Sequence, residues 1–184
     1  REAADFYCSL FPNSGVTSVT TISGTPSGDC DVVSFVLAGH PFLAITAGPH
    51  FKINPSISFM LHFDPRVDTH ARENLDAAWD KLIEGGKALM DIGEYPFSQR
   101  YGWVQDRYGL SWQLILAKPE GEPRPFIMPS LLFTGGAVGK AEQAGAYWRS
   151  VFDDSQAGAL ARYPEGASAD KPGTVMCSDF GLDD

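Results

Sequence analysis

The chain repeats itself, and that repeat limits its possible folds more than any other feature. Residues 1–14, REAADFYCSLFPNS, return as EQAGAYWRSVFDDS at 142–155. Ala3, Ser9, Phe11 and Ser14 are matched by Ala144, Ser150, Phe152 and Ser155. Phe6, Tyr7 and Leu10 are answered by Tyr147, Trp148 and Val151. In the first copy Ala3, Phe6, Tyr7, Leu10 and Phe11 fall at helical spacing and form one apolar stripe. Both copies stop at small polar turn formers, Pro12-Asn13-Ser14 and Asp153-Asp154-Ser155. They also continue alike. GVTSVTTI, a Gly/Pro/Ser turn and Val32–Leu37 follow the first helix. An arm to Arg162-Tyr163, a longer loop, Thr174-Val175-Met176 and Phe180-Gly181-Leu182 follow the second. Two copies of a helix–strand–turn–strand unit point to an internal duplication.

The middle of the chain supplies another such unit. Ile57 to Phe63 is strand-like and ends at Asp64-Pro65. Between Glu73 and Glu84, Leu75, Ala78, Trp79, Leu82 and Ile83 share one helical face, which Gly85-Gly86 terminates. Gly102 to Asp106, a turn at Arg107-Tyr108-Gly109, and Leu110 to Leu116 read as a β-hairpin. Lys118 to Pro125 (KPEGEPRP) lacks apolar residues and reads as a linker, after which Phe126–Phe133 is a strand. The expected organisation is a domain at 1–117, a linker at 118–125 and a partial second repeat at 126–184. The first module lacks an opening strand. Either the chain is a piece of a longer one, or strand 126–133 fills the vacant place in this sheet or in a partner's, as a strand exchange.

Composition narrows the class of function. The 184 residues carry 14 basic and 23 acidic side chains, a formal net charge of −9. Such a surface repels phosphate backbones and anionic lipid, which argues against nucleic-acid and membrane partners. No apolar run approaches the roughly 20 residues that cross a bilayer. Cys8, Cys30 and Cys177 are odd in number, widely spaced and without a CxxC pair, as in reduced cysteines of a cytoplasmic protein.

AADFYCSLFPNS, GHPFLAITAGPHFKINPSISF and YGWVQDRYGLSWQLI resemble the PhnB-like branch of the vicinal oxygen chelate superfamily. That superfamily also holds glyoxalase I, the extradiol dioxygenases and the bleomycin-resistance proteins. The resemblance covers most of 1–117 and, more loosely, 126–184. It implies an α+β fold of paired βαβββ modules around a pocket, and a homodimer. In metal-dependent relatives, His or Glu ligands lie on the first and last strands of each module. The corresponding positions here carry Ala44, Ser56 and Gln113. Alanine cannot ligate, and Ser and neutral Gln bind divalent transition metals poorly. The resemblance therefore implies a metal-free, cofactor-free small-molecule binder. Its alternative is a metal-dependent lyase, isomerase or dioxygenase completed by residues outside the chain.

Four residues stand out as ligand-binding candidates. His50, in Gly48-Pro49-His50-Phe51-Lys52, titrates near cellular pH and lies in a family-like motif. Trp103, Trp112 and Gln113 put aromatic surface beside an amide, a combination that suits a planar or apolar ligand. Gln113 lies on the opposite strand face from Trp112. Asp106-Arg107-Tyr108-Gly109 reads as turn chemistry. His40, His62 and His70 read as turn, sheet-face and surface residues, and no two histidines have chelating spacing. Gly135–Lys140 lacks the flanking residues of a phosphate loop, and no GxGxG follows a strand, so neither nucleotide binding nor methyl transfer is expected. No GxSxG motif points to covalent catalysis.

Overall fold

The computed structural model describes residues 1–46, 48–166 and 173–182. In chain order the elements are α1 (Glu2–Cys8), β1 (Gly15–Thr25), β2 (Gly28–Leu37), β3 (His40–Ile45), β4 (Ile57–Phe63), α2 (Ala71–Ile83), β5 (Lys87–Tyr95), β6 (Ser98–Gln105), β7 (Ser111–Leu116), β8 (Ile127–Leu131), α3 (Ala141–Arg149), β9 (Gln156–Arg162) and β10 (Val175–Gly181). The chain divides into two compact units, Arg1–Leu131 and Leu132–Asp184.

In the first unit β1, β2 and β3 form an antiparallel meander. Leu37 pairs with His40, leaving Ala38-Gly39 as a two-residue turn with φ of 47° and 86°. A hairpin this tight needs positive φ at both central residues. Ala38 tolerates it because its N–H donates to Ser14 Oγ at 2.9 Å, while Gly39 N–H donates to the Asn13 carbonyl. The second sheet has the order β5-β6-β7-β4-β8. β4 and β7 run parallel with α2 in the crossover, which makes β4-α2-β5-β6-β7 a complete βαβββ module. The α1-β1-β2-β3 segment is the same module without its first strand.

Three details depart from the sequence pattern. The first helix ends at Cys8 rather than continuing to Phe11, and its apolar stripe is completed by a tighter turn in which Leu10 N–H donates to the Tyr7 carbonyl. β5 occupies 87–95, where irregular pairing with β6 blurs the alternation that marks a strand. The strand that opens the second repeat pairs antiparallel with β4 of the same chain, so it belongs spatially to the first unit. The charged tether before it is pinned down. Arg66 Nη1 donates to the Gly121 carbonyl at 2.7 Å, and His62 N–H donates to the Phe126 carbonyl at 2.8 Å.

The core lies on one side of the five-stranded sheet. Phe59, Leu61, Trp112, Leu114 and Val104 alternate toward α1, α2 and the meander, where Leu37, Leu75 and Leu82 are fully buried. Phe42 of β3 meets the Phe59 ring edge-on at 5.2 Å, joining the two sheets. Gly102 sits under α2, where a Cβ would come within 2.5 Å of Trp79 Cζ3, so the helix seats directly on the sheet. The second unit is smaller. α3 packs Gly145 and Trp148 against Phe180 of the β9–β10 hairpin, and β9 is exposed along its whole length.

Candidate ligand-binding face

Strand register separates the sequence candidates onto two faces. Trp112 points into the core and is 0% exposed. Its ring packs against Tyr7 and Phe59 at 5.2 and 5.5 Å. Its indole Nε1–H donates to Asp106 Oδ2 at 2.8 Å. The same oxygen accepts the Tyr7 hydroxyl at 2.8 Å, and Oδ1 accepts the backbone N–H groups of Tyr108 and Leu110. Asp106 is therefore more than a turn former: four donors satisfy its buried carboxylate and tie α1, the β6–β7 turn and β7 together. Burial and the Asp106 charge hold the Tyr7 phenol far above its ordinary pKa, so it remains a donor.

Gln113 and Trp103 face the other way, opposite one another in the β6–β7 register. Around Gln113 runs a hydrogen-bonded chain across four strands. Tyr101 on β6 donates its hydroxyl to Gln113 Oε1 at 2.7 Å. Gln113 Nε2 donates to Ser58 Oγ on β4 at 2.8 Å and to Ser130 Oγ on β8 at 3.3 Å. Met60 lies level with Gln113 on β4, Met128 level with Met60 on β8, and Met90 opposite Trp103 on β5. The face thus combines thioether and indole surface with a line of neutral polar groups. Trp103 Nε1 is buried and has no hydrogen-bond partner among the described residues. His50 falls in a short 3-10 turn, Gly48–His50, and its side chain lies outside the described residues.

Two positions carried over by resemblance are corrected. Ser56 precedes β4, is exposed, and donates its N–H to Asn54 Oδ1; the serine beside Gln113 is Ser58, because the strand begins at Ile57. Ala44 pairs with buried Val33 and packs against the core, away from this face. The sequence gives no sign that Ser130 is a site residue, because its place beside Gln113 arises only from the pairing of β8 with β4.

The donor set does not fit a divalent transition metal. It consists of two hydroxyls, an amide and a phenol, all neutral, and both Gln113 amide hydrogens already point at the serines. His62 faces the same side from β4, one register step beyond Met60. It is 9% exposed, its Nδ1 has no partner among the described residues, and it is hydrogen-bonded to the Pro125 backbone. Burial, with a smaller contribution from the Arg124 charge, outweighs that bond and lowers its pKa from 6.5 to about 4. At neutral pH it is an uncharged imidazole.

The complete βαβββ module and its partner lacking one strand define an α+β protein of the glyoxalase-fold class, with the polar line crossing β6, β7, β4 and β8. Residues 1–115 match the family described as 3-demethylubiquinone-9 3-methyltransferase, and the chain belongs to that family, in its PhnB-like branch. Among solved structures, the chain is similar to the PhnB protein of Bacillus cereus, which carries a provisional 3-demethylubiquinone-9 3-methyltransferase name. That pair is 33% identical, with a TM-score of 0.55, over 63% of this chain and 89% of the other. A protein from Pseudomonas aeruginosa shares the fold at 19% identity and TM-score 0.51, over 63% of this chain and 87% of the other. No curated protein matches the chain.

Proposed function

We propose that the chain is a metal-free small-molecule binding module, working as a cytoplasmic homodimer, and that its ligand lies on the sheet face carrying Gln113 and Trp103. One observation carries this reading. The position where metal-dependent relatives keep a carboxylate is held by Gln113, whose amide is tied to Tyr101, Ser58 and Ser130 in a neutral chain. Affinity then comes from apolar contact with Trp103 and the methionines, and orientation from the polar line. His50 is proposed as a further contact. Trp112 acts behind the site by holding β7 in place. Methyl transfer, which the family's description names, is not part of this proposal, because the sequence has no GxGxG after a strand to cradle a nucleotide-type donor.

The test is metal titration of the metal-free protein with zinc, nickel, manganese and iron(II), followed by tryptophan fluorescence with small aromatic compounds. The expected result is no stoichiometric metal and saturable quenching. A tightly held equivalent of any of these ions would overturn the proposal in favour of an enzyme.

A further inference from the structure

We infer that the ligand of this face is an uncharged molecule with an aromatic or apolar body and an oxygen acceptor, and that the Trp103 indole N–H binds that oxygen. The inference rests on the binding reading above and adds the ligand's chemical class. A buried N–H without an acceptor is unfavourable, and Trp103 Nε1–H is in that state among the described residues. Although Trp103 lies opposite Gln113, its Nε1–H makes no hydrogen bond to that amide, whose Oε1 accepts the Tyr101 hydroxyl and whose nitrogen donates to Ser58 and Ser130. Among the described residues the unpartnered buried polar atoms of this face are Trp103 Nε1, Ser111 Oγ and His62 Nδ1, and of these only the indole N–H can do nothing but donate. The complementary group is an oxygen acceptor such as a carbonyl.

The surroundings argue for a neutral ligand. Met90 faces Trp103 across one strand pair, Gln113 across the other, and Met60 and Met128 continue the row. A carboxylate placed there loses its water without meeting a cation. Lys87 stands at the far end of β5, opposite Gln105, and Arg124 lies near His62, where it is already engaged. Unbranched methionine side chains can swing aside to bring an acceptor onto the indole nitrogen.

Three one-ring probes of similar size separate the possibilities: acetophenone, ethylbenzene and benzoate. Each is titrated into the whole chain while the tryptophan indole N–H signals are followed by 15N NMR, the Trp103 signal being assigned from Trp103→Phe. Acetophenone is expected to move that signal downfield and to bind at least fivefold more tightly than ethylbenzene and tenfold more tightly than benzoate. Its advantage over ethylbenzene should disappear in Trp103→Phe. Benzoate binding as tightly as acetophenone, or an acetophenone advantage that survives in Trp103→Phe, overturns the inference and leaves the binding reading standing. Failure of all three probes to perturb any signal of this face overturns both.

Discussion

His62 makes the stability of this protein depend on pH in a window that carboxylates do not share. The imidazole is held neutral in the folded chain, with a pKa of about 4, against 6.5 when exposed. A lowered folded value means that the unfolded chain binds the proton first. Stability is therefore complete above pH 6.5, declines as pH falls below it, and stops declining near pH 4. The interval is about 2.5 pH units at ~1.36 kcal/mol each, or about 3 kcal/mol in full. At pH 5 the loss relative to pH 7.5 works out at about 2 kcal/mol. Asp64 and Asp68, whose pKa values are lowered by hydrogen bonds from Arg66 and His70, respond only at lower pH, and comparison with a variant lacking the imidazole separates the share due to His62. The assay is urea unfolding at pH 7.5 and pH 5 for the natural chain and for His62→Leu, which fills the site without titrating. The pH difference should shrink by about 2 kcal/mol in the variant. An unchanged difference would refute the claim that His62 is buried and uncharged beneath the 124–126 segment.

Three further outcomes follow from the packing. Asp106→Ala removes the acceptor of four hydrogen bonds and leaves the Tyr7 and Trp112 donors buried without a partner, so the chain should lose about 3–5 kcal/mol in chemical denaturation. Gly102→Ala places a methyl group against Trp79 and Ile92 and should lower stability by about 1–3 kcal/mol, with altered near-ultraviolet circular dichroism from the displaced indole. If Ser58, Gln113 and Ser130 converge as described, the triple substitution Ser58→His, Gln113→Glu, Ser130→His should bind one cobalt(II) or zinc(II) with tetrahedral visible spectra for cobalt; absence of binding would place the three strand positions too far apart.

Much of the fold can be read along the chain because it depends on local periodicity. The stripe from Ala3 to Phe11, the Leu75–Leu82 face and the alternation around Trp112 and Gln113 predict their elements and their buried sides. β5 escapes such reading because pairing irregularities at Met90 and Gly93 break its alternation. The candidate site is only half legible. Strand alternation places Gln113 and Trp112 on opposite faces, whereas the position of Trp103 opposite Gln113 and of Ser130 beside it follows from the β6–β7 and β4–β8 registers.

The repeat, the amphipathic helices, the net negative charge and the neutral residues at the would-be ligand positions are properties of the sequence, because each rests on residue identity or on spacing within one element. Which serine stands beside Gln113, where β8 pairs, and why Asp106 and His62 are buried were decided in three dimensions. Those facts depend on register between strands tens of residues apart, and local pattern carries no information about it.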